Sequence, residues 1–294
     1  MALAYLVLCC SNNVIQTKYV ENKTVALINQ QQSFNPDLVA GNVVGIAAEV
    51  GRHDSGMHSH AKGQLLYAPR GCMRIVLDGQ RCVLPPTRAA WIPTGVQHQV
   101  MMTNVVAYRS VYFSLEVSQL LGQEVKVVVV NELLRALIER MAWWPWDITD
   151  VNTHNTLALF IEEMQQAERE SLQLTLPLHP RLKALVERWS PEGELPPTLI
   201  SLAGEFGASA KTVSRIFCRE TGMSYQAWRQ QWRLLAAIEL LSMQRQVNDA
   251  AYLLGFSSDS AFIHFFRQHT GMTPLKYMHG QWEAEPGRLT VDSA

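Results

Sequence analysis

Hydrophobic and polar positions change their period once along the chain, near residue 116. Between residues 41 and 115, short runs rich in Val, Ile, Tyr and Met are separated by Pro and Gly, a pattern typical of antiparallel strands. The runs "MRIVL" and "QRCVL" flank Asp78-Gly79, a dipeptide that favours a tight hairpin turn. The pattern predicts an antiparallel sandwich or a small β-barrel over residues 41–115.

Helical spacing takes over in residues 116–171. Apolar residues recur at helical intervals within residues 131–142 and again within 151–170, and Pro145 in "AWWPWD" separates the two predicted helices. These helices suit either a dimer interface or packing against the strands, and the sequence leaves both possibilities open. The next segment, "LQLTLPLHP" at residues 172–180, is predicted to be a linker.

The pattern is helical throughout residues 181–282, and a short phrase occurs there twice. "FCRETGM" at 217–223 and "FRQHTGM" at 266–272 share Phe, Thr, Gly and Met at the same offset. Each phrase ends a predicted helix that follows a glycine turn and has a serine, Ser209 or Ser258, as its N-cap. Helix, tight turn and second helix make up the helix-turn-helix plan. The sequence therefore predicts two such units, joined by the helix in "SYQAWRQQWRLLAAIELLSM".

Composition and charge limit the number of domains and the type of compartment, but they do not indicate a function. A chain of 294 residues is long enough for two domains, and its net charge of -1 points to no particular partner. The C-terminal block nevertheless has a small excess of Lys and Arg, which is compatible with nucleic acid. Five cysteines without paired spacing suit a reducing compartment. The apolar opening "MALAYLVLCC" is too short to span a membrane, so we expect a cytoplasmic protein without a membrane partner.

The helical region resembles the DNA-binding domain of the AraC/XylS family of bacterial transcription regulators. The resemblance lies in "LAGEFGASAKTVSRIFCRETGMS", "WRLLAAIELL" and "AYLLGFSSDSAFIHFFRQHTGMTPLKYM". It implies that residues 181–282 place two reading helices in successive major grooves of a two-part operator in double-stranded DNA. Its most characteristic residues are Gly255, Phe256, Ser257, Phe262, Phe266, Gly271, Thr273 and Pro274.

Matching the reading helices to the family position by position gives the candidate DNA contacts. Arg215 can pair with guanine and Ile263 can pack on a thymine methyl group, whereas Arg229 and Arg233 are further candidates for phosphate contacts. The residues predicted to face the DNA are Lys211, Ser214, Arg215, Arg219, Ser260, Ile263, His264 and Arg267.

The strand region resembles the cupin barrel through two motifs. "HSHAKGQ" follows the cupin pattern HxH-x3-E-x6-G except that Gln64 replaces the glutamate, and "PTGVQH" follows PxGxxH. Because the carboxylate is missing, we expect a barrel that senses a small molecule and has no metal or other cofactor. The alternative is a metal sensor or cupin metalloenzyme that uses His58, His60 and His98. The predicted ligand-binding residues are His58, His60, Gln64, Trp91 and His98.

Together the two resemblances predict an α+β protein of two domains. A cupin-like antiparallel β-barrel with additional helices would precede an all-α domain with two helix-turn-helix units, with residues 1–40 as an extension and 283–294 as a tail. The expected function is that of an effector-sensing homodimeric regulator, an activator or a repressor, of a nearby transporter, efflux or metabolic gene. An activator would also contact RNA polymerase. We expect no enzymatic activity and no catalytic residue. A barrel that serves only dimerisation is a third possibility.

Overall fold

The structure is a computed structural model that describes residues 19–20, 23–24, 35–77, 79–102, 106–189 and 194–279. Most of the expected N-terminal extension, Asp78 of the predicted hairpin turn and the tail 283–294 lie outside the described residues.

The N-terminal domain contains two antiparallel five-stranded sheets. The first sheet has the strand order β11-β8-β5-β10-β3, and the second has the order β12-β7-β6-β9-β4. The predicted hairpin is present as β6 and β7, which pair from Met73 with Leu84 to Leu77 with Gln80. The strands are β1 (Tyr19–Val20), β2 (Lys23–Thr24), β3 (Val43–Val50), β4 (His53–Asp54), β5 (Gly63–Arg70), β6 (Met73–Leu77), β7 (Gln80–Leu84), β8 (Arg88–Ile92), β9 (His98–Met102), β10 (Val106–Phe113), β11 (Lys126–Val129) and β12 (Gln173–Thr175).

The two sheets form a sandwich and do not close into the expected barrel. Within the described residues, no strand pairing joins the edge of one sheet to the edge of the other. The sheets are held together by their faces, where Leu66 and Ile92 of the first sheet share a buried cluster with Ile75 and Leu84 of the second. Burial of these apolar faces stabilises the sandwich without a closed hydrogen-bond ladder.

Three helices, α1 (Leu115–Leu121), α2 (Glu132–Ala142) and α3 (Asp150–Gln166), cover the other face of the first sheet. The α2 helix packs on β3 and β10 and lies so close to β3 that a Cβ atom on Gly45 would stand 2.1 Å from the Met141 carbonyl oxygen. The apolar side of α2 is therefore buried within the chain, as the packing alternative requires. Its buried members are Leu134, Leu137, Ile138, Met141 and Ala142.

The C-terminal domain is built from seven helices within residues 180–279. The predicted caps are present, since Ser209, Ser224 and Ser258 accept hydrogen bonds from the backbone N–H groups of Thr212, Ala227 and Ala261. The helices are α4 (Pro180–Arg188), α5 (Leu199–Phe206), α6 (Ala210–Thr221), α7 (Tyr225–Ser242), α8 (Val247–Leu253), α9 (Asp259–Thr270) and α10 (Pro274–His279).

Two helix-turn-helix units, α5–α6 and α8–α9, lie on either side of the long helix α7. Gly207 ends α5 in the left-handed conformation, with φ of 71°, and the equivalent Gly255 has φ of 68°. Any side chain would be strained in that conformation, which is why both turns use glycine. The α+β fold of two domains, with two units in the second, is thus confirmed.

The predicted linker, residues 172–180, does more than connect the domains. Residues 173–175 form β12, which pairs with β7 and completes the second sheet, and Leu172 and Leu174 are buried. The alternation of leucines in "LQLTL" explains this, since every second side chain of a strand faces the core. The C-terminal domain thus begins directly after an edge strand of the N-terminal domain.

Candidate functional sites

Three histidines converge at one end of the sandwich. The backbones of His58 and His98 exchange two hydrogen bonds of 2.9 Å, and the Gly95 N–H donates to the His60 carbonyl at 2.9 Å. This pairing lays the first histidine segment against the start of β9. The ring centroids of His58 and His60 lie 4.4 and 5.0 Å from that of His98. The two motifs are therefore brought together in space.

The three rings share one hydrogen-bonding pattern. The Nδ1 atoms of His58 and His98 lie 2.9 and 2.8 Å from the carbonyl oxygens of Gly56 and Val96, and His60 Nδ1 makes the equivalent contact to Lys62. Carbonyl oxygens only accept hydrogen bonds, so each Nδ1 carries a proton. In the neutral form of such a ring Nε2 has a free lone pair, the arrangement typical of metal-binding histidines.

Gln64 completes this group, and we call His58, His60, Gln64 and His98 the histidine site. The Gln64 amide nitrogen donates to Ser110 Oγ at 2.8 Å and to Tyr112 Oη at 3.0 Å. The amide oxygen Oε1 therefore faces His60 Nε2, 3.2 Å away. Two acceptor atoms at this distance repel each other unless a proton or a cation lies between them.

Burial keeps the inner histidines neutral. Burial, reinforced by the neighbouring imidazoles, lowers the pKa of His98 to about 4, and burial also lowers the pKa of His60. His98 is completely buried, and its Nε2 has no hydrogen-bond partner among the described residues. A buried acceptor without a partner indicates a place for a ligand atom or a cation.

The histidine site fits a divalent transition metal after a small contraction. The candidate ligand atoms of the three histidines lie within 4.8 Å of one another. Two ligands on opposite sides of one ion are separated by at most about 4.2 Å, because Zn–N bonds are about 2.1 Å long. Three imidazole nitrogens and an amide oxygen suit zinc, nickel or copper better than magnesium or calcium. Such an ion would act as a Lewis acid toward an effector atom.

Trp91, the fifth predicted ligand residue, does not join the site. It lies on the helix-covered face of the first sheet, where its ring contacts Phe113 at 5.9 Å between centroids. Its indole N–H donates to the Gly122 carbonyl at 2.8 Å. Neighbouring side chains on a strand point to opposite faces, so Ile92, not Trp91, faces the second sheet. Trp91 therefore lies apart from the four other predicted ligand residues, and its part in ligand binding stays a prediction.

Two residues of the site have no counterpart in the sequence motifs. Ser110 and Tyr112 on β10 hold the Gln64 amide, and the Tyr112 ring lies 5.2 Å from that of His60. Both side chains are buried between the sheets. The only sequence signal is a serine and a tyrosine two positions apart in an otherwise apolar strand.

The first reading helix, α6, presents the predicted side chains on one face. Val213 and Phe217 are buried, whereas Lys211, Arg215 and Arg219 are exposed at successive helical turns. Ser214 lies beside them and is half-buried. The Arg219 guanidinium is 3.2 Å from Glu220, whose carboxylate also accepts the His179 backbone N–H. Lys211 and Arg215 form no ion pair within the described residues, so their charge is available to a ligand.

The second reading helix, α9, has an equivalent face. Phe262 and Phe266 are buried on one side, and Ser260, His264 and Arg267 are exposed on the other. Ile263 is half-buried at the border between the two sides. This face has fewer charged groups than that of α6.

The guanidinium groups of Arg229 and Arg233 are hydrogen-bonded to backbone carbonyls, so they are not available to bind phosphates. Arg229 Nε donates to the Pro196 carbonyl at 2.7 Å. Arg233 donates to the carbonyls of Leu254 and Gly255 in the turn of the second unit. The two arginines therefore stabilise the ends of neighbouring segments, where the carbonyls have no helical partner.

The two domains match known protein families. Residues 40–163 match the AraC-like ligand binding domain, and residues 202–280 match a helix-turn-helix domain. Among the described residues, no helix combines the length and the apolar character needed to cross a membrane.

Several curated relatives are named as transcription regulators. The chain is 28% identical to the HTH-type transcriptional regulator NimR of Escherichia coli over 236 residues, 76% of this chain and 82% of NimR. It is 39% identical to RipA of Corynebacterium glutamicum over 75 residues, 26% of this chain and 23% of RipA. A solved structure of ToxT from Vibrio cholerae superposes on this chain with a TM-score of 0.32 and 10% identity, over 81% of this chain and 96% of ToxT. This similarity is too low to support a conclusion about fold or function. On its two matching domains and its relatives, the chain belongs to the AraC family of transcriptional regulators, with a ligand-binding domain before a helix-turn-helix DNA-binding domain.

Proposed function

We propose that occupancy of the histidine site controls how firmly α6 and α9 bind a two-part operator. The observation that carries this proposal is the pairing of a buried, unsatisfied acceptor group in one domain with two exposed reading faces in the other. An effector changes DNA binding only if it binds the two conformations of the protein with different affinity.

The DNA contacts of the proposal are those of the two reading faces. Lys211, Ser214 and Arg215 of α6 would meet one major groove, and Ser260, Ile263 and His264 of α9 the next, about 34 Å along the DNA. Arg219 and Arg267, one turn further along each helix, would contact phosphates. Their exposure, and the absence of an ion pair to any other described residue, support Lys211 and Arg215 in particular.

Selection of DNA from a random library tests this proposal. The full chain is expected to enrich a site of two boxes about one helical turn apart. Arg215→Ala is expected to weaken binding by about 1–3 kcal/mol and to relax the sequence preference within one box. The matched control is Arg140→Ala, an exposed arginine on α2 of the ligand-binding domain, which should leave the site and the affinity unchanged. Absence of any enriched site would contradict the proposal.

A second candidate function is metal sensing at the histidine site. The convergence of the three imidazoles, with His60 Nε2 3.2 Å from Gln64 Oε1, supports it specifically, because a cation relieves the contact between two acceptors. A metalloenzyme would use the same ligands. The curated relatives are regulators, so we propose that this chain has no enzymatic activity.

Metal analysis separates the two kinds of effector. Protein purified without chelator is expected to hold close to one zinc or nickel ion per chain if the site senses metal, and His98→Gln should abolish it. Gln244→His, a substitution at an exposed position outside the ligand-binding domain, serves as a control for adventitious binding. An empty wild-type site that takes up no added ion leaves a metal-free small molecule as the effector.

We also propose that the chain acts in the cytoplasm as a homodimer. The α2 and α3 helices leave Leu133, Val151 and Leu159 exposed although their other faces are buried, which supports a contact between copies there. A dimer would double the contacts with an operator. If the chain activates transcription, RNA polymerase is a further partner. Light scattering on the full chain distinguishes a monomer from a dimer.

A further inference from the structure

The ligand-binding domain contacts the DNA-binding domain through the outer face of the second sheet. The long helix α7 packs on β7 and β12. Buried apolar residues of both domains belong to a single continuous cluster that includes Val83 of β7 and Leu235 of α7. Two contacts between charged residues also join the two domains.

The first charged contact joins β6 to α7. Arg74 donates through Nε to Glu239 Oε1 at 2.7 Å and through Nη2 to Oε2 at 2.9 Å. Glu239 is only 6% exposed, so removal of its partner would leave a buried charge unpaired. The strand β6 that carries Arg74 is paired with β9, whose first residue is His98 of the histidine site. A displacement of His98 can therefore reach Arg74 through one pair of strands.

A second arginine weakens this contact. Arg81 on β7 lies on the same face of the second sheet as Arg74, because Arg74 pairs with Val83, two residues further along β7. The Arg81 Nε is buried without a hydrogen-bond partner among the described residues. Burial, and then the nearby charge of Arg74, lower the pKa of Arg81. A second guanidinium group thus lies close to the Arg74–Glu239 pair, and its excess positive charge makes docking of the domains less favourable than an isolated ion pair would.

The second charged contact joins the first sheet to α10. Arg88 on β8 is 1% exposed, pairs with Glu170 and lies over the Tyr277 ring, 4.6 Å from its centroid. The Tyr277 hydroxyl donates to the other Glu170 oxygen at 2.9 Å. Tyr277 belongs to α10, which follows the second helix-turn-helix unit.

These contacts hold both ends of the second unit. Along the chain, the α7 helix precedes it and α10 follows it, whereas the first unit comes before α7. The reading faces of α6 and α9 remain exposed while the domains are docked. Docking therefore does not cover the DNA-binding surface, and its effect on DNA binding has to come through the relative orientation of the two units.

We propose that two contacts between the domains, Arg74–Glu239 and Arg88–Glu170–Tyr277, fix the helix-turn-helix units in the orientation that binds both boxes of the operator. We call these contacts the first and the second latch. Release of the first latch, through a shift of β9 and β6 at the histidine site, lowers operator affinity. Arg81 keeps this latch weak enough to be released. The inference rests on the proposed function, because it assigns a route between the two sites.

Hydrogen–deuterium exchange of the full chain tests whether the latch exists. Glu239→Gln removes the carboxylate partner of Arg74 and leaves the half-buried Arg74 and Arg81 without a nearby anion, so amides of β6 and of α7 are expected to exchange faster together, by on the order of ten-fold or more. Arg81→Met removes the competing charge and should slow exchange in the same two elements. Glu49→Gln, which breaks an exposed ion pair with Arg70, is the matched control and should change neither. Faster exchange confined to one of the two domains overturns the latch.

Operator binding tests whether the latch is coupled to DNA. The probe is the DNA site selected by the wild-type chain, and Glu239→Gln is expected to weaken its binding by on the order of ten-fold. Arg81→Met should bind at least as tightly as wild type. If Glu239→Gln loosens both elements but binds the site with wild-type affinity, the latch does not control DNA binding. If the wild-type chain selects no site, the proposed function fails, and the exchange result alone decides whether the latch exists.

Discussion

The Arg233 guanidinium lies over the ring of Phe256, 4.0 Å from its centroid, and donates to the carbonyls of Leu254 and Gly255. These carbonyls belong to the end of α8 and the turn before α9, where no helical partner exists for them. A charged donor at this position stabilises the turn that sets the angle between α8 and α9. Arg233 therefore contributes to the structure of the second unit, although a phosphate contact is the expectation from its sequence.

Arg233→Met should separate these two roles. The variant keeps an apolar stem over Phe256 but loses the charged hydrogen bonds, so we expect a loss of about 1–3 kcal/mol in the free energy of unfolding. The salt dependence of DNA binding should stay unchanged. The comparison variant is Arg267→Met on the exposed face of α9, for which we expect unchanged stability and a salt slope reduced by about one. A reduced slope for Arg233→Met at wild-type stability would restore the phosphate role.

Single residues also show what the sequence could and could not predict about the histidine site. The resemblance of two short motifs to the cupin pattern was enough to group His58, His60, Gln64 and His98, and the structure brings these four residues together. The position of Trp91 on the opposite face could not be predicted, because all five residues of β8 are buried. A strand covered on both faces has no polar side, so its sequence does not tell which residues face the second sheet.

At the scale of elements, the contact between β3 and α2 depends on one glycine. A Cβ atom on Gly45 would lie 2.1 Å from the Met141 carbonyl oxygen and 2.8 Å from Ala142 Cα. Both atoms belong to the backbone of α2, so the helix as a whole would have to move. The Gly45 carbonyl also accepts the Trp146 indole N–H at 3.0 Å, which ties the segment after α2 to the same strand.

Gly45→Ala is expected to destabilise the ligand-binding domain by about 1–3 kcal/mol or more, because separation of α2 from β3 loses packing over the whole helix. Chemical denaturation of the full chain measures this. Gly204→Ala is the matched control: Gly204 lies within α5, has open space around its Cβ position, and should gain about 0.5–1 kcal/mol as alanine. Equal effects of the two substitutions would show that the close approach does not matter.

Element boundaries were predictable where local chemistry sets them. The hairpin strands β6 and β7 and the serine caps of α6, α7 and α9 follow from short sequence signals. The strand β12 was not predicted from the sequence, because a segment of three residues forms a strand only when it can pair with the edge of an existing sheet, here β7. Likewise, Arg74 and Arg81 resemble solvent-facing positions in the sequence, yet they face α7. Such assignments depend on tertiary contacts that no local pattern records.

At the scale of the whole molecule, the protein is a stack of layers that continues across the domain boundary. The α1–α3 helices cover the first sheet, the second sheet packs on the first, and α7 packs on the second. The histidine site lies within the N-terminal part of this stack, whereas the reading faces of α6 and α9 are exposed. A cluster of buried residues that spans both domains makes their stabilities interdependent.

We therefore expect the two domains to unfold in a single transition, although chains of two domains often unfold in steps. Trp228 on α7 donates its indole N–H to the Thr175 carbonyl of β12 at 2.8 Å. Trp228→Phe removes this bond and preserves most of the apolar contact, so it should lower the transition temperature of the whole molecule by about 2–4 °C. Gly45→Ala, in the other domain, should lower the same single transition. Differential scanning calorimetry checks both, with a van't Hoff enthalpy equal to the calorimetric enthalpy as the criterion. Two separate transitions, each shifted by only one of the variants, would mean that the domains are merely adjacent and that the shared core does not couple them.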